Sequence, residues 1–128
     1  MSSARRASAL ALAAVAVATL SAPPASAGVS QCPDGYSCVW TDSNYSSSYS
    51  GRGNANYTEY YAVGGRIFND SISSIYNRFP GWKTWYEHAD RGGAKLMVYG
   101  VTRISNLQDR SSGVWYHPDW NDFISSVD

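Results

Sequence analysis

Asn69-Asp70-Ser71-Ile72-Ser73-Ser74 recurs 52 positions later as Asn121-Asp122-Phe123-Ile124-Ser125-Ser126, with five of six residues identical. A β-branched residue follows each copy, Ile75 or Val127. At average usage of ~5–7% per residue type, one window matches all five with a probability on the order of one in a million. The segment concentrates hard oxygen donors, and calcium takes six to eight of them from carboxylates, hydroxyls and carbonyls. Asp70 and Asp122 supply charge, and Ser73 and Ser125 supply hydroxyls. The variable third positions, Ser71 and Phe123, can supply backbone carbonyls, and Ile72 and Ile124 anchor the loops in a core. In a single copy, a serine-capped Asn-Asp turn is the commoner use of such residues. Two copies in equivalent places of two repeats favour calcium.

The loops need strands to hold them. Tyrosine, tryptophan, valine and isoleucine are spread among glycine, serine and asparagine clusters, and no segment after Ala27 keeps apolar residues at helical spacing for three turns. Extended runs are expected at Ser37–Thr41, Ile72–Asn77, Thr84–His88, Lys95–Tyr99 and Gly113–Tyr116, with turn-forming residues between them. Tyr57–Val63 and Ile104–Asp109 read as longer connections, each with a short helical turn. Val39 to Tyr45 lines up with Trp85 to Arg91 at a spacing of 46, so each hexapeptide follows a comparable aromatic hairpin. The difference between 46 and 52 implies an insertion within the second unit. Two units of about 40 to 46 residues are expected, joined near Phe79-Pro80-Gly81, each burying its face against the other.

With the hairpins and hexapeptides in view, the chain resembles the βγ-crystallin superfamily. Asn/Asp-Asn/Asp-x-x-Ser/Thr-Ser, one copy per Greek key, is that superfamily's calcium signature, and both copies match every defined position. Tyr86 to Gly93 is similar to its aromatic first corner ending in glycine, with Arg91 in place of an aromatic. Val39 to Ser47 keeps Trp40 and Tyr45 but has Ser47 where glycine is usual. The resemblance implies an all-β, βγ-crystallin-like sandwich over residues 28–128, with Greek keys at about 37–79 and 83–128. It also implies two calcium ions whose ligands are exchanged between the motifs. One site would take Asp122, Ser73 and the carbonyls of Ser71 and Ser43. The other would take Asp70, Ser125 and the carbonyls of Phe123 and Ala89. The last strand is expected to be very short. Cys32-Pro33-Asp34-Gly35-Tyr36-Ser37-Cys38-Val39-Trp40, then Asn44-Tyr45, is similar to the opening of exported actinobacterial domains grouped with metalloproteinase inhibitors of the same fold. No inhibitory loop matches residue by residue.

The N-terminus sets the compartment. Arg5-Arg6, the apolar run Ala7–Leu20 and the small residues Ala25-Ser26-Ala27 read as a secretory signal over residues 1–27. The apolar run is too short to span a bilayer. The mature chain, residues 28–128, is one domain. Setting Arg5 and Arg6 aside leaves 8 of the 10 basic residues against 10 acidic ones, a net charge of −2. No basic run suggests a nucleic-acid surface, and no second apolar stretch suggests a membrane role. Cys32 and Cys38 are expected to form a disulfide in an oxidising compartment, contributing roughly 2 kcal/mol through so short a loop. Zinc would need four ligands, which nothing nearby supplies, and the spacing does not fit a redox pair.

Other constellations carry less. His88 and His117 are the only histidines, and no nucleophile elbow accompanies them. Nothing ties Glu59 and Glu87 to glycoside hydrolysis. Five tryptophans and ten tyrosines suit core and corner positions better than a sugar platform. The expected function is a secreted, extracellular, monomeric calcium-binding protein without catalytic residues, whose partner is a secreted proteinase. An antimicrobial or killer-toxin-like effector on the same fold is the alternative, and a small hydrolase is the weakest reading.

Overall fold

The computed structural model describes residues 28–53 and 57–128, so the expected signal over residues 1–27 lies outside them. Among the described residues the strands are β1 (Ser37–Asp42), β2 (Ser46–Arg52), β3 (Thr58–Glu59), β4 (Ser74–Asn77), β5 (Lys83–Tyr86), β6 (Lys95–Val98), β7 (Thr102–Ile104), β8 (Ser111–Val114), β9 (His117–Asp119) and β10 (Ser126–Val127). A short helix α1 (Tyr60–Gly64) follows β3, and a 3₁₀ turn at Leu107–Asp109 follows β7. Both expected helical turns are thus present, and the last strand has two residues.

Two four-stranded sheets have the orders β2-β1-β4-β7 and β3-β10-β5-β6, and β8 pairs with β9 in a separate hairpin. Every pairing among the described residues is antiparallel. The two units exchange a strand. β3, from the first unit, pairs with β10 of the second, and β7, from the second, pairs with β4 of the first. Neither unit completes a sheet alone, which is the physical meaning of the internal repeat. This is the expected all-β Greek-key sandwich.

The alternation of side chains along β1 explains why four consecutive residues, Ser37 to Trp40, are buried. Val39 joins the main core with Ile72, Ile75, Trp85, Leu107, Trp120 and Ile124. Cys38 and Trp40 form a second cluster with Cys32 and Tyr76. The Cys32–Cys38 disulfide closes that cluster. At the joint between units, buried Asn77 donates to the carbonyls of Gly81 and Val98 at 2.9 and 2.8 Å and accepts from the Phe79 N–H at 3.0 Å. An amide so fully partnered costs little to bury.

One strand expectation needs correction. Gly113–Tyr116 is not a single extended run, because β8 ends at Val114 and β9 begins at His117. Trp115 and Tyr116 form the turn between them, and Gly113 at φ 76° breaks the register before it. This hairpin is the insertion implied by the repeat spacing. It occupies the connection from Leu107 to Asn121, whereas the connection from Tyr60 to Asn69 is filled by helical turns.

Candidate metal centres

The two hexapeptides meet at one end of the sandwich. The Asp70 N–H donates to the Ile124 carbonyl and the Asp122 N–H to the Ile72 carbonyl, both at 3.0 Å. Asp70 (φ 52°) and Asp122 (φ 54°) are both left-handed, a conformation aspartate tolerates better than most residues. The identity of this position is therefore set partly by the backbone. Ser73 and Ser125 donate their N–H groups to the Trp40 and Tyr86 carbonyls, both at 2.9 Å. The next serines tie each loop to its own corner: Ser74 Oγ donates to the Asp42 carbonyl and Ser126 Oγ to the His88 carbonyl, both at 2.7 Å.

The first serine of each pair reaches across instead. Ser125 Oγ donates to Asp70 Oδ1 at 3.0 Å, and Ser73 lies close enough to the Asp122 carboxylate to oppose the rise in its pKa. Each carboxylate thus faces the serine of the other copy. Asn69 Nδ2 also donates to Asp70 Oδ2 at 3.0 Å.

The corners repeat the same backbone. Asn44 and Tyr45 have φ of 56° and 58°, and Asp90 and Arg91 have 58° and 60°. Ser47, at φ 66°, occupies the place of Gly93, at φ 76°. Its hydroxyl donates to the Asp42 carboxylate, which offsets part of the conformational cost. Arg91 finds a use of its own. Its guanidinium lies 4.5 Å from the Tyr57 ring centroid, and its Nε donates to Asp128 Oδ2 at 2.6 Å.

An open pocket of about 410 Å³ adjoins the first corner, lined by Asp42, Ser43, Asn44, Ser46, Ser73, Asn106, Gln108 and Asn121. Every lining residue bears a side-chain oxygen, and none is basic. Such a set suits a hard cation and is wrong for zinc, which prefers nitrogen and sulfur. Burial raises the Asp122 carboxyl above its usual range, and Asp119 and Asp42 push the same way against the opposing pull of His117 and Ser73. A cation nearby would relieve that repulsion. Among the described residues no group of three His, Cys, Asp or Glu side chains is placed to hold a metal. Hydroxyls, amides and carbonyls would have to complete either site.

A second pocket, of about 340 Å³, is lined by Asp70, Glu87, His88, Tyr116, His117, Asp122 and Phe123. Asp122 therefore borders this pocket while facing Ser73 of the first. Burial raises the Glu87 carboxyl, but the Ala94 N–H, the Tyr116 hydroxyl and the two histidines outweigh it and hold it below its usual range. His117 stacks on Phe123 at 4.2 Å between centroids.

Of the remaining candidate ligands, Ser43 lines the first pocket, and its carbonyl accepts from Ser46 Oγ at 2.8 Å. The Ala89 carbonyl accepts the Gly92 N–H at 3.2 Å within its own turn. The Ser71 hydroxyl bonds the carbonyls of Arg66 and Asn69, both at 3.2 Å. Sequence reasoning missed Asp42, Asn106 and Gln108. Asp42 aligns with His88, so the corner alignment held a signal for it. Asn106 and Gln108 arrive from the other unit through the strand exchange, and nothing local announces them.

The scan of family models matches residues 25–98, more than half of the chain, to peptidase inhibitor family I36. Nothing among curated proteins matches the sequence. Among solved structures, one described under the evolution of the eye-lens βγ-crystallin domain fold is 20% identical, with a TM-score of 0.60 over 78% of this chain and 90% of that one. A βγ-crystallin from Ciona intestinalis is 20% identical, with a TM-score of 0.55 over 73% and 96%. A βγ-crystallin domain from Flavobacterium johnsoniae is 25% identical, with a TM-score of 0.51 over 71% and 89%. The chain belongs to peptidase inhibitor family I36 and has the βγ-crystallin fold.

Proposed function

We propose that this protein is an exported, monomeric, calcium-binding inhibitor of a secreted peptidase, with no catalytic role of its own. Family membership supports a peptidase as the partner, and the disulfide is in keeping with an oxidising compartment. The observation that carries the calcium reading is the crossed pairing of Asp70 with Ser125 and of Asp122 with Ser73. One ion would be held by Asp122, Ser73 and the carbonyls of Ser71 and Ser43, the other by Asp70, Ser125 and the carbonyls of Phe123 and Ala89. Calcium would supply charge neutralisation and a cross-link between the two hexapeptides, with no bond made or broken. Little side-chain charge per site points to weak affinity, roughly 10⁻⁴ to 10⁻³ M, as in other extracellular modules.

Calorimetric titration of the mature protein, residues 28–128, with calcium and separately with magnesium tests the metal. Binding of calcium with much weaker binding of magnesium is expected, because magnesium demands a tighter octahedron. No heat and no shift in the melting curve at millimolar calcium would reduce the hexapeptides to structural turns. Inhibition assays against secreted metallo- and serine peptidases test the partner. Loss of no activity anywhere in such a panel would remove the inhibitor reading.

A further inference from the structure

The β8–β9 hairpin departs from the symmetry of the fold, since the first unit fills the equivalent connection without it. At its turn, Trp115 is 95% exposed. Three other tryptophans, Trp40, Trp85 and Trp120, are buried, and Trp82 is 58% exposed. Trp115 meets the half-exposed Tyr116 ring edge-on at 5.6 Å between centroids and otherwise stands in solvent, while the residues beneath it are held. The Tyr116 hydroxyl donates to both oxygens of buried Glu87, at 2.6 and 2.8 Å. The His117 ring stacks on Phe123, and the Ser112 hydroxyl ties the Val114 and His117 carbonyls. Trp120 closes the base in the main core. A rigid mount that presents one large aromatic side chain to solvent is the form of a binding anchor, because little flexibility is lost on docking.

We infer that Trp115 is the anchor that enters an apolar, aromatic-sized specificity pocket of the target endopeptidase. This rests on the inhibitor reading above. The Val114↔His117 pairing leaves only Trp115 and Tyr116 in the turn. So tight a turn cannot lie extended in a cleft as a substrate strand does. The hairpin therefore plugs the pocket with a side chain and offers no peptide bond for cleavage. Pockets that prefer a basic side chain are excluded as hosts, since a hydrophobic slot and an aspartate-based pocket select different residues.

The test uses the mature protein against chymotrypsin, thermolysin and trypsin. Wild type should inhibit chymotrypsin or thermolysin and spare trypsin. Trp115→Ala should raise the inhibition constant at least about 30-fold, the effect of losing a hot-spot residue. Its melting curve should superimpose on that of wild type, because the side chain touches little. Trp115→Phe should keep most of the inhibition, and Trp82→Ala, at the other exposed tryptophan, should leave it unchanged. Undiminished inhibition by Trp115→Ala, an equal loss with Trp82→Ala, or inhibition of trypsin alone would overturn the anchor and leave the inhibitor reading standing. A wild type that inhibits neither chymotrypsin nor thermolysin would overturn the anchor, while the wider peptidase panel above decides the inhibitor reading.

Discussion

The two corners share a backbone and differ in what surrounds it. In the first, Trp40 packs against Tyr45 and Tyr49 at 5.1 and 5.4 Å between centroids, and the adjoining pocket is ringed by oxygen-bearing side chains with Asp42 among them. In the second, Arg91 and Lys95 take the places of Tyr45 and Tyr49 and lie over the rings of Tyr57 and Tyr86. Two histidines and a buried glutamate border its pocket. One hexapeptide sequence therefore sits in two electrostatic settings. Backbone geometry is what the repeat conserves, while cation affinity is free to diverge. The first corner's pocket is lined by oxygen-bearing side chains throughout and by no histidine, whereas the second has more carboxylates but shares them with two histidines and a tyrosine, so the first is the better candidate host for calcium.

The strongest way to break the symmetry is at the core anchors. Ile72 and Ile124 are both fully buried in one cluster, so Ile72→Ala and Ile124→Ala should each cost roughly 2–5 kcal/mol. Denaturant unfolding of both variants measures this. A cost below about 1 kcal/mol at one position only would show that the two units do not bury equivalent anchors.

Calcium sharpens the same comparison. Each occupied site should add about 2.7 kcal/mol at 100 times its dissociation constant. Asp122→Ala should abolish the tighter site, and Asp70→Ala should weaken the looser one completed by Ser125. Titration calorimetry of the two variants separates them. The ligand exchange is wrong if Asp70→Ala damages only the site that contains Ser73. A tighter site that survives Asp122→Ala would reverse the ranking of the corners.

A smaller asymmetry lies at the ends of the corners. A Cβ at Gly93 would come within 2.6 Å of Glu87 Oε2 and 2.8 Å of His88 Cδ2, at a φ of 76°. Gly93→Ser should cost roughly 1–3 kcal/mol. Ser47→Gly relieves left-handed strain but loses the hydroxyl bond to Asp42, so it should stay within about 0.5 kcal/mol of wild type. Thermal melts of the pair decide this, and equal effects would mean that the corners tolerate side chains alike.

Much of this was legible from residue patterns. The hexapeptide repeat located both loops, and the 46-against-52 spacing announced an insertion. The edge strand β2 was not legible. Ser46–Arg52 is serine-rich and only partly buried, so it lacks the apolar alternation that marks a strand. β3 and β7 are two and three residues long, and they are specified by the partner unit they join. For the same reason Asn106 and Gln108 could not be assigned to the first pocket. A strand exchange is a long-range event that leaves no local mark. Glu87 is one of two glutamates in the sequence, and its hydrogen-bond partner, the Tyr116 hydroxyl, reaches it across 29 positions, a pairing no local pattern announces.

The smallest expected effect is a difference in pH response between the two halves. In the calcium-free protein the Asp122 carboxyl is raised, first by burial and then by Asp119 and Asp42. A raised carboxyl favours the folded state while protonated, and that contribution is lost as pH rises through its folded value. The Asp128 carboxyl is lowered, first by its hydrogen bond from Arg91. Its contribution is present above the ordinary aspartate range and is lost as pH falls through the folded value. The two aspartates therefore tilt stability in opposite directions. In chelator, Asp122→Asn should flatten the decline on the alkaline side of the carboxylate range, and Asp128→Asn should flatten the loss on the acid side. Calcium should cancel the Asp122 contribution, because the ion binds the charged form. Calcium affinity at the first corner should accordingly fall as pH drops through the raised value. Melting temperatures from pH 3 to 8, with and without calcium, read all of this. If Asp122→Asn follows the wild-type profile in chelator, the carboxylate is solvated like any surface aspartate. The pH dependence expected of calcium at the first corner would then be absent.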